Sequence, residues 1–273
     1  MEINSQPIGV FDSGLGGLTA MRALMATLPG ENICYLGDTG RVPYGVRSRE
    51  TIGRYAQQDM AFLQSLNIKA ALVACGTVSA VALPHLKETF PLPVYGVLDS
   101  AVEAALAQTK TGNIGIIGTQ ATIQSGAYER LLHQAQGGLT LTSRACPLFV
   151  PLVENGRIHP GDVVIETIVA EYLAPFCKAG VDTLILGCTH YPLLETVIAN
   201  FLGGDVRLVS AGAAAADKMA QALGALGLLS AKSCGGIQRY YVTDRVEGFE
   251  TLASLFLEQD VSGDVEQISL EQF

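Results

Sequence analysis

The chain has no tryptophan, no cluster of lysines and arginines, no CxxC pair and no apolar run near the ~18 residues of a membrane helix. Basic residues are scarce: 17 against 26 acidic ones, a net charge of −9. Such a surface is poorly suited to neutralising nucleic-acid phosphates, and the missing aromatic-basic patch removes a platform for single strands. No nucleic-acid or membrane partner is expected. The 6 cysteines are spread over 273 residues, without the density of a secreted disulfide scaffold, so reduced thiols are expected. The opening MEINSQPIGVFDSG lacks a basic start, an apolar core and a cleavage site. No secretory signal is expected, and the cytoplasm is the expected compartment.

What is present is an α/β pattern. Short β-branched runs alternate with longer segments of helical spacing, as in βαβ units of a parallel sheet. Strands are predicted at residues 8–12, 33–38, 70–75, 93–98, 113–118, 182–188, 206–210 and 238–243. Five of the first six end in small or polar residues, and ligands of parallel sheets bind beyond the carboxyl ends of strands.

Two of these strand ends carry a thiol. LVACGTVSA (72–80) and LILGCTHYP (184–192) share one layout: aliphatic run, small residue, cysteine, threonine close behind. IGVFDSG at Ile8 and IGIIGTQ at Ile114 are similarly alike, which suggests two related halves. If the halves face each other, Cys75 and Cys188 lie on the two walls of one cleft. Inverting a carbon that bears hydrogen needs a base on one face and an acid on the other, and a thiolate with a thiol suits this. A helix N-terminus after each strand is expected to lower the thiol pKa. A buried cysteine serving only as a small hydrophobe is the commoner role for either residue alone. Cys75, Cys188 and His190 fall short of the four ligands of a structural zinc site, and no metal is expected. The glycines of DSGLGG do not complete GxGxxG, so tight packing of a turn, not a dinucleotide, is expected there.

The segments VFDSGLGGLT (10–19), YLGDTGRVPYG (35–45), ACGTVSA (74–80), GTQATIQSGAY (118–128), CPLFVPLVENG (146–156) and DTLILGCTHYPLL (182–194) together resemble the bacterial glutamate racemases of the aspartate/glutamate racemase family, in the order found there. The resemblance implies two similar parallel-sheet α/β domains with the active site in the cleft between them. It also implies cofactor-independent, two-base interconversion of L- and D-glutamate, which supplies D-glutamate for peptidoglycan. By the same resemblance Cys75 and Cys188 are the catalytic thiols, with Asp12, His190 and Glu154 in supporting roles. Asp12 also fits a helix N-cap, and a solvated loop glutamate accounts for Glu154 almost as well. The implied substrate contacts are Asp12, Ser13, Tyr44, Gly45, Gly76, Thr77, Thr119, Thr189 and His190. No cofactor and no metal are implied; the partner is a small molecule, glutamate, and a homodimer is left open.

One position departs from the family. Gly76 stands where asparagine is usual after the first cysteine, so a side-chain amide is lost and Gly76→Asn is expected to tighten glutamate binding. A racemase for aspartate or another small acid, or an inert amino-acid-binding protein on the same fold, are the alternatives. Residues 1–97 with 210–273 are expected to form the first domain, around Cys75. Residues 98–209 are expected to form the second, around Cys188, with a helix and tail from Glu247 onward.

Overall fold

All eight predicted segments carry a strand in the computed structural model, which describes residues 3–261 and 263–273. Met1, Glu2 and Ser262, which belong to the expected first domain, lie outside the described residues. The strands are β1 (Ile8–Asp12), β2 (Ile33–Gly37), β3 (Ala70–Val73), β4 (Val94–Gly96), β5 (Asn113–Gly118), β6 (Thr140–Ala145), β7 (Thr183–Leu186), β8 (Arg207–Ser210), β9 (Gln238–Val242) and β10 (Val265–Gln267). β1, β2, β3 and β7 are buried along their whole length. Central strands covered on both faces read as unbroken apolar runs, which is why the sequence displays them so clearly.

Two strands were not predicted. β6, TLTSRA, and β10, VEQ, are the outermost strands of their sheets and are largely half-buried or exposed. An edge strand buries little side chain and so leaves a weak apolar signature. The expected terminal helix is Val246–Leu257, and the tail beyond it supplies β10, which pairs parallel with β9.

One sheet has the order β10-β9-β2-β1-β3-β4 and the other β6-β5-β7-β8. Each recorded strand pair is parallel. The run β2-β1-β3-β4 has the same order as β6-β5-β7-β8, so the internal likeness of the sequence is a repeat of topology. Register confirms it: Ile8 pairs with Ala70 as Ile114 pairs with Thr183. The two expected α/β sheets, with strand ends turned to a shared cavity, are the architecture observed.

The chain passes between the sheets twice. The helices Leu98–Gln108 and Ala211–Ala225 that lie on these passages pack against each other, and the second also packs on the helix Leu18–Thr27. One apolar core runs through both halves by way of Val97, Ala101, Ala211 and Ala215. A second core, including Phe11, Ile52, Met60 and Leu86, lies in the larger-sheet half. Among the described residues no helix is long and apolar enough to cross a membrane.

Candidate active site

Cys75 and Cys188 each lie two residues past the end of a strand, β3 and β7, and five residues past the equivalent register positions Ala70 and Thr183. Topologically equivalent loops therefore present both sulfurs, one from each half, to a single cavity of about 350 Å³. Ser13, Tyr44, Gly45, Gly76, Thr77, Thr119, Glu154, Thr189 and His190 line the same cavity. Asp12 does not. Its carboxylate is turned into the DSGLGG turn, where Oδ2 accepts from the Gly14 N–H at 3.1 Å.

Around Cys188 the geometry is a short chain of polar groups. His190 Nδ1 is 4.0 Å from the Cys188 sulfur and Nε2 is 3.0 Å from Glu154 Oε1. The imidazole is buried, edge-on to Phe256. Burial opposes its charge, but Cys188, Glu154 and Asp12 outweigh burial and push its pKa up to about 10. An imidazolium is thus held beside the thiol at neutral pH. Glu154, at the end of the helix Phe149–Glu154, is half-exposed, but it is part of the site and not a free loop carboxylate.

Cys75 contradicts one sequence-based expectation. It occupies the N-cap of the helix Gly76–Val81, and the Val78 N–H and Ser13 do favour its thiolate. Burial and the charge of Asp12 prevail, and the thiol is pushed up to about 12. A buried sulfur beside a carboxylate keeps its proton, and the Cys75 thiol donates to Ser13 Oγ at 3.6 Å. Cys188, for its part, is followed by a 3₁₀ turn (Tyr191–Leu194) before the helix Glu195–Leu202, so a helix start does not adjoin it.

Two substrate-contact expectations also change. The Tyr44 hydroxyl is already committed, donating to Asp38 and lying 3.0 Å from Asp59 Oδ2 in a buried cluster closed by Arg41. What Tyr44 and Gly45 can offer a ligand is the backbone N–H groups that open the turn Tyr44–Val46. Asp12 is likewise no N-cap: the helix Leu18–Thr27 is capped at Gly17 without a side-chain bond. Burial raises the Asp12 pKa, against the pull of His190, Gly17, Gly14 and Thr189. Its Oδ1 accepts from Thr189 Oγ1 at 3.4 Å, a polar contact between the halves.

Thr77 and Thr119 hold a second bridge. Their hydroxyls are 2.9 Å apart, and Thr122, absent from the sequence reading, joins Thr119 at 2.9 Å. Thr119 caps the helix Gln120–Gln124 and accepts from the Thr122 N–H, so a threonine three residues past an N-cap was the available signal. Apolar residues Val42, Val46, Pro147, Val150 and Pro151 were also missed as lining. They look like ordinary loop and core residues until the fold brings them to one mouth.

Glycines stand where the loops of the two halves touch. A Cβ on Gly16 would lie 2.1 Å from Thr189 Oγ1, which accounts for the DSGLGG glycines by close packing and not by phosphate binding. A Cβ on Gly76 would lie 2.4 Å from the Gly187 carbonyl oxygen. The φ of Gly76 is not in the left-handed region, so the obstacle to asparagine is this backbone contact. The expectation of tighter binding in Gly76→Asn is therefore reversed. Overpacking costs about 1–3 kcal/mol; with that strain falling on the loop that carries Cys188, kcat/KM for glutamate is expected to fall by about 5- to 150-fold, measured by steady-state kinetics with circular dichroism to confirm folding.

Among the described residues no group of three or more His, Cys, Asp or Glu side chains is arranged to hold a metal ion.

Residues 13–219 match the family model described as Asp/Glu/hydantoin racemase. The chain is 46% identical to a glutamate racemase of Aquifex aeolicus over 93% of this chain and 95% of the relative. It is also similar to the crystal structure of a glutamate racemase from Francisella tularensis in complex with D-glutamate, at TM-score 0.91 and 36% identity over 99% of this chain and 100% of that one. A glutamate racemase isoform from Bacillus anthracis superposes at TM-score 0.93, with 39% identity and 98% of each chain covered.

Proposed function

Because the chain belongs to the Asp/Glu/hydantoin racemase family, we propose that its cavity interconverts L- and D-glutamate, with Cys75 and Cys188 as the acid–base pair. The observation that carries this reading is the equivalence of the two thiols, at matching positions of two repeated sheets and open to one cavity. A substrate held between them has its α-carbon flanked by sulfur on both faces. One thiolate removes the α-proton, the other thiol delivers a proton to the opposite face, and the reverse reaction exchanges the roles.

The surrounding residues divide this work. The charge on His190 favours the thiolate of Cys188, and Glu154 holds the imidazolium in place. Asp12, near Cys75 and made a stronger base by burial, is suited to take the thiol proton when substrate arrives. Backbone N–H groups of Tyr44, Gly45 and Gly76 and the hydroxyls of Ser13, Thr77, Thr119 and Thr189 suit the two carboxylates and the ammonium of glutamate. The same reading takes residues 1–97 with 210–273 as one domain and 98–209 as the other, the cavity lying between. By likeness to bacterial relatives, the product D-glutamate serves cytoplasmic peptidoglycan synthesis.

Purified protein, dialysed against chelator and given no cofactor, is expected to bring either glutamate enantiomer to the racemate, followed by circular dichroism, and to prefer glutamate to aspartate. Activity that vanishes on chelation and returns with metal overturns the two-thiol mechanism; preference for aspartate overturns the substrate.

A further inference from the structure

Each reactive thiol has a buried tyrosine behind it, and the two tyrosines differ. Tyr35 stands behind Cys75 and its hydroxyl is committed, donating to the Gly14 carbonyl at 2.8 Å. Tyr128, in the helix Ala127–Ala135, packs its ring on the backbone just before Cys188: a Cβ on Gly187 would lie 3.0 Å from Cε2 and 3.5 Å from Cζ, the carbon that bears the hydroxyl. Tyr128 is 1% exposed, and among the described residues its hydroxyl is one of two buried side-chain polar atoms with no hydrogen-bond partner. A buried orphan donor costs about 1–3 kcal/mol, so its retention calls for a reason.

The groups coupled electrostatically to Cys188 are Tyr128, Cys146, His190 and Tyr191. Three of these are engaged. Tyr191 donates to the Cys146 carbonyl at 2.9 Å, the Cys146 thiol donates to the Arg144 carbonyl at 3.8 Å, and His190 is held by Glu154. Tyr128 alone of the four has an uncommitted donor. We propose that Tyr128 is a positioning residue for Cys188, its O–H reserved for the sulfur in the thiolate form and turned to it as that charge develops. The proposal rests on the reading of Cys188 as an acid–base thiol. It gives the two thiols unlike surroundings: Cys188 has a spare donor, whereas Cys75 has a tyrosine already spent.

The test reads ionisation and not turnover, so it stands apart from whether glutamate is the substrate. Iodoacetamide alkylation of Cys188 is followed against pH by peptide mass spectrometry in the Cys75→Ala protein, with exposed Cys177 and Cys234 as internal references. Adding Tyr128→Phe is expected to move the Cys188 midpoint up by about one pH unit or more, a rate about tenfold lower below the midpoint. The alkylation profile of Cys75, measured in Cys188→Ala with and without Tyr128→Phe, is expected to stay in place, and the unfolding temperature to hold or rise. Site-specific 3,5-difluorotyrosine at position 128, a stronger donor of nearly the same shape, is expected to move the Cys188 midpoint down. A Cys188 midpoint unmoved in the folded phenylalanine variant, an equal shift at Cys75, or an upward shift with difluorotyrosine overturns the proposal. If phenylalanine prevents folding, the sign of the difluorotyrosine shift decides alone.

Discussion

Cys75→Ala and Cys188→Ala are each expected to lower glutamate racemisation by about 10²–10⁴-fold or more, the usual scale of a general acid–base contribution. Inversion needs both faces of the α-carbon served, so either change removes a step that nothing else in the cavity supplies. A one-sided enzyme is still able to take a proton from the enantiomer that faces its remaining thiol and return it to the same face. Residual α-proton exchange without inversion is therefore expected for one enantiomer in Cys75→Ala and for the other in Cys188→Ala. Exchange assays on both enantiomers check this. Near wild-type racemisation in either folded variant contradicts the two-base reading.

His190→Asn is expected to reduce kcat by about 10²–10³-fold with a smaller change in KM. Asparagine can keep a hydrogen bond to Glu154 but carries no charge to favour the Cys188 thiolate. The charge also bears on stability. In the folded protein the His190 pKa is raised from an ordinary 6.5 to about 10. A raised pKa means that the folded state holds the proton more tightly, so the stabilisation is fully present below about pH 6.5 and fades as pH rises through about 10. The stability gap between wild type and His190→Asn, read from denaturant melts at pH 6, 8 and 10, is expected to narrow as pH rises. A gap constant over that range, with kcat within about fivefold of wild type, removes His190 from the assisting role.

The parts of this molecule most legible in its sequence are those that are buried on both sides. β1 and β5 coincide with their predicted spans because a central parallel strand is apolar along most of its length, with a polar residue only at one end. The half-exposed edges β6 and β10 left no such trace. The thiols were legible for a related reason: each interrupts an apolar strand end at the same point of a repeated unit, so chemistry stood out against packing.

Orientation was not legible. Tyr44 lies in the right place, but its hydroxyl serves Asp38 and Asp59, and only the packing of Arg41 against these carboxylates shows why. Asp12 sits behind the cavity wall because its carboxylate is needed by Gly14 and Thr189. Thr122 and the apolar mouth residues acquire a role only when residues far apart in the chain converge. The same is true of Gly76. Its neighbour across the cleft, Gly187, lies on the other sheet's loop, and no local pattern reveals the contact.

The central claim is that two thiols serve opposite faces of one α-carbon, and it is tested most directly by incubating each glutamate enantiomer with the protein in D₂O. The account predicts that the enantiomer formed carries deuterium at the α-carbon from the earliest time points, while substrate recovered early keeps most of its α-hydrogen, in both directions and without cofactor. Inverted product that retains the substrate's own hydrogen points to a single base shuttling between faces, and binding of glutamate with no exchange points to an inert binding protein; either result contradicts it.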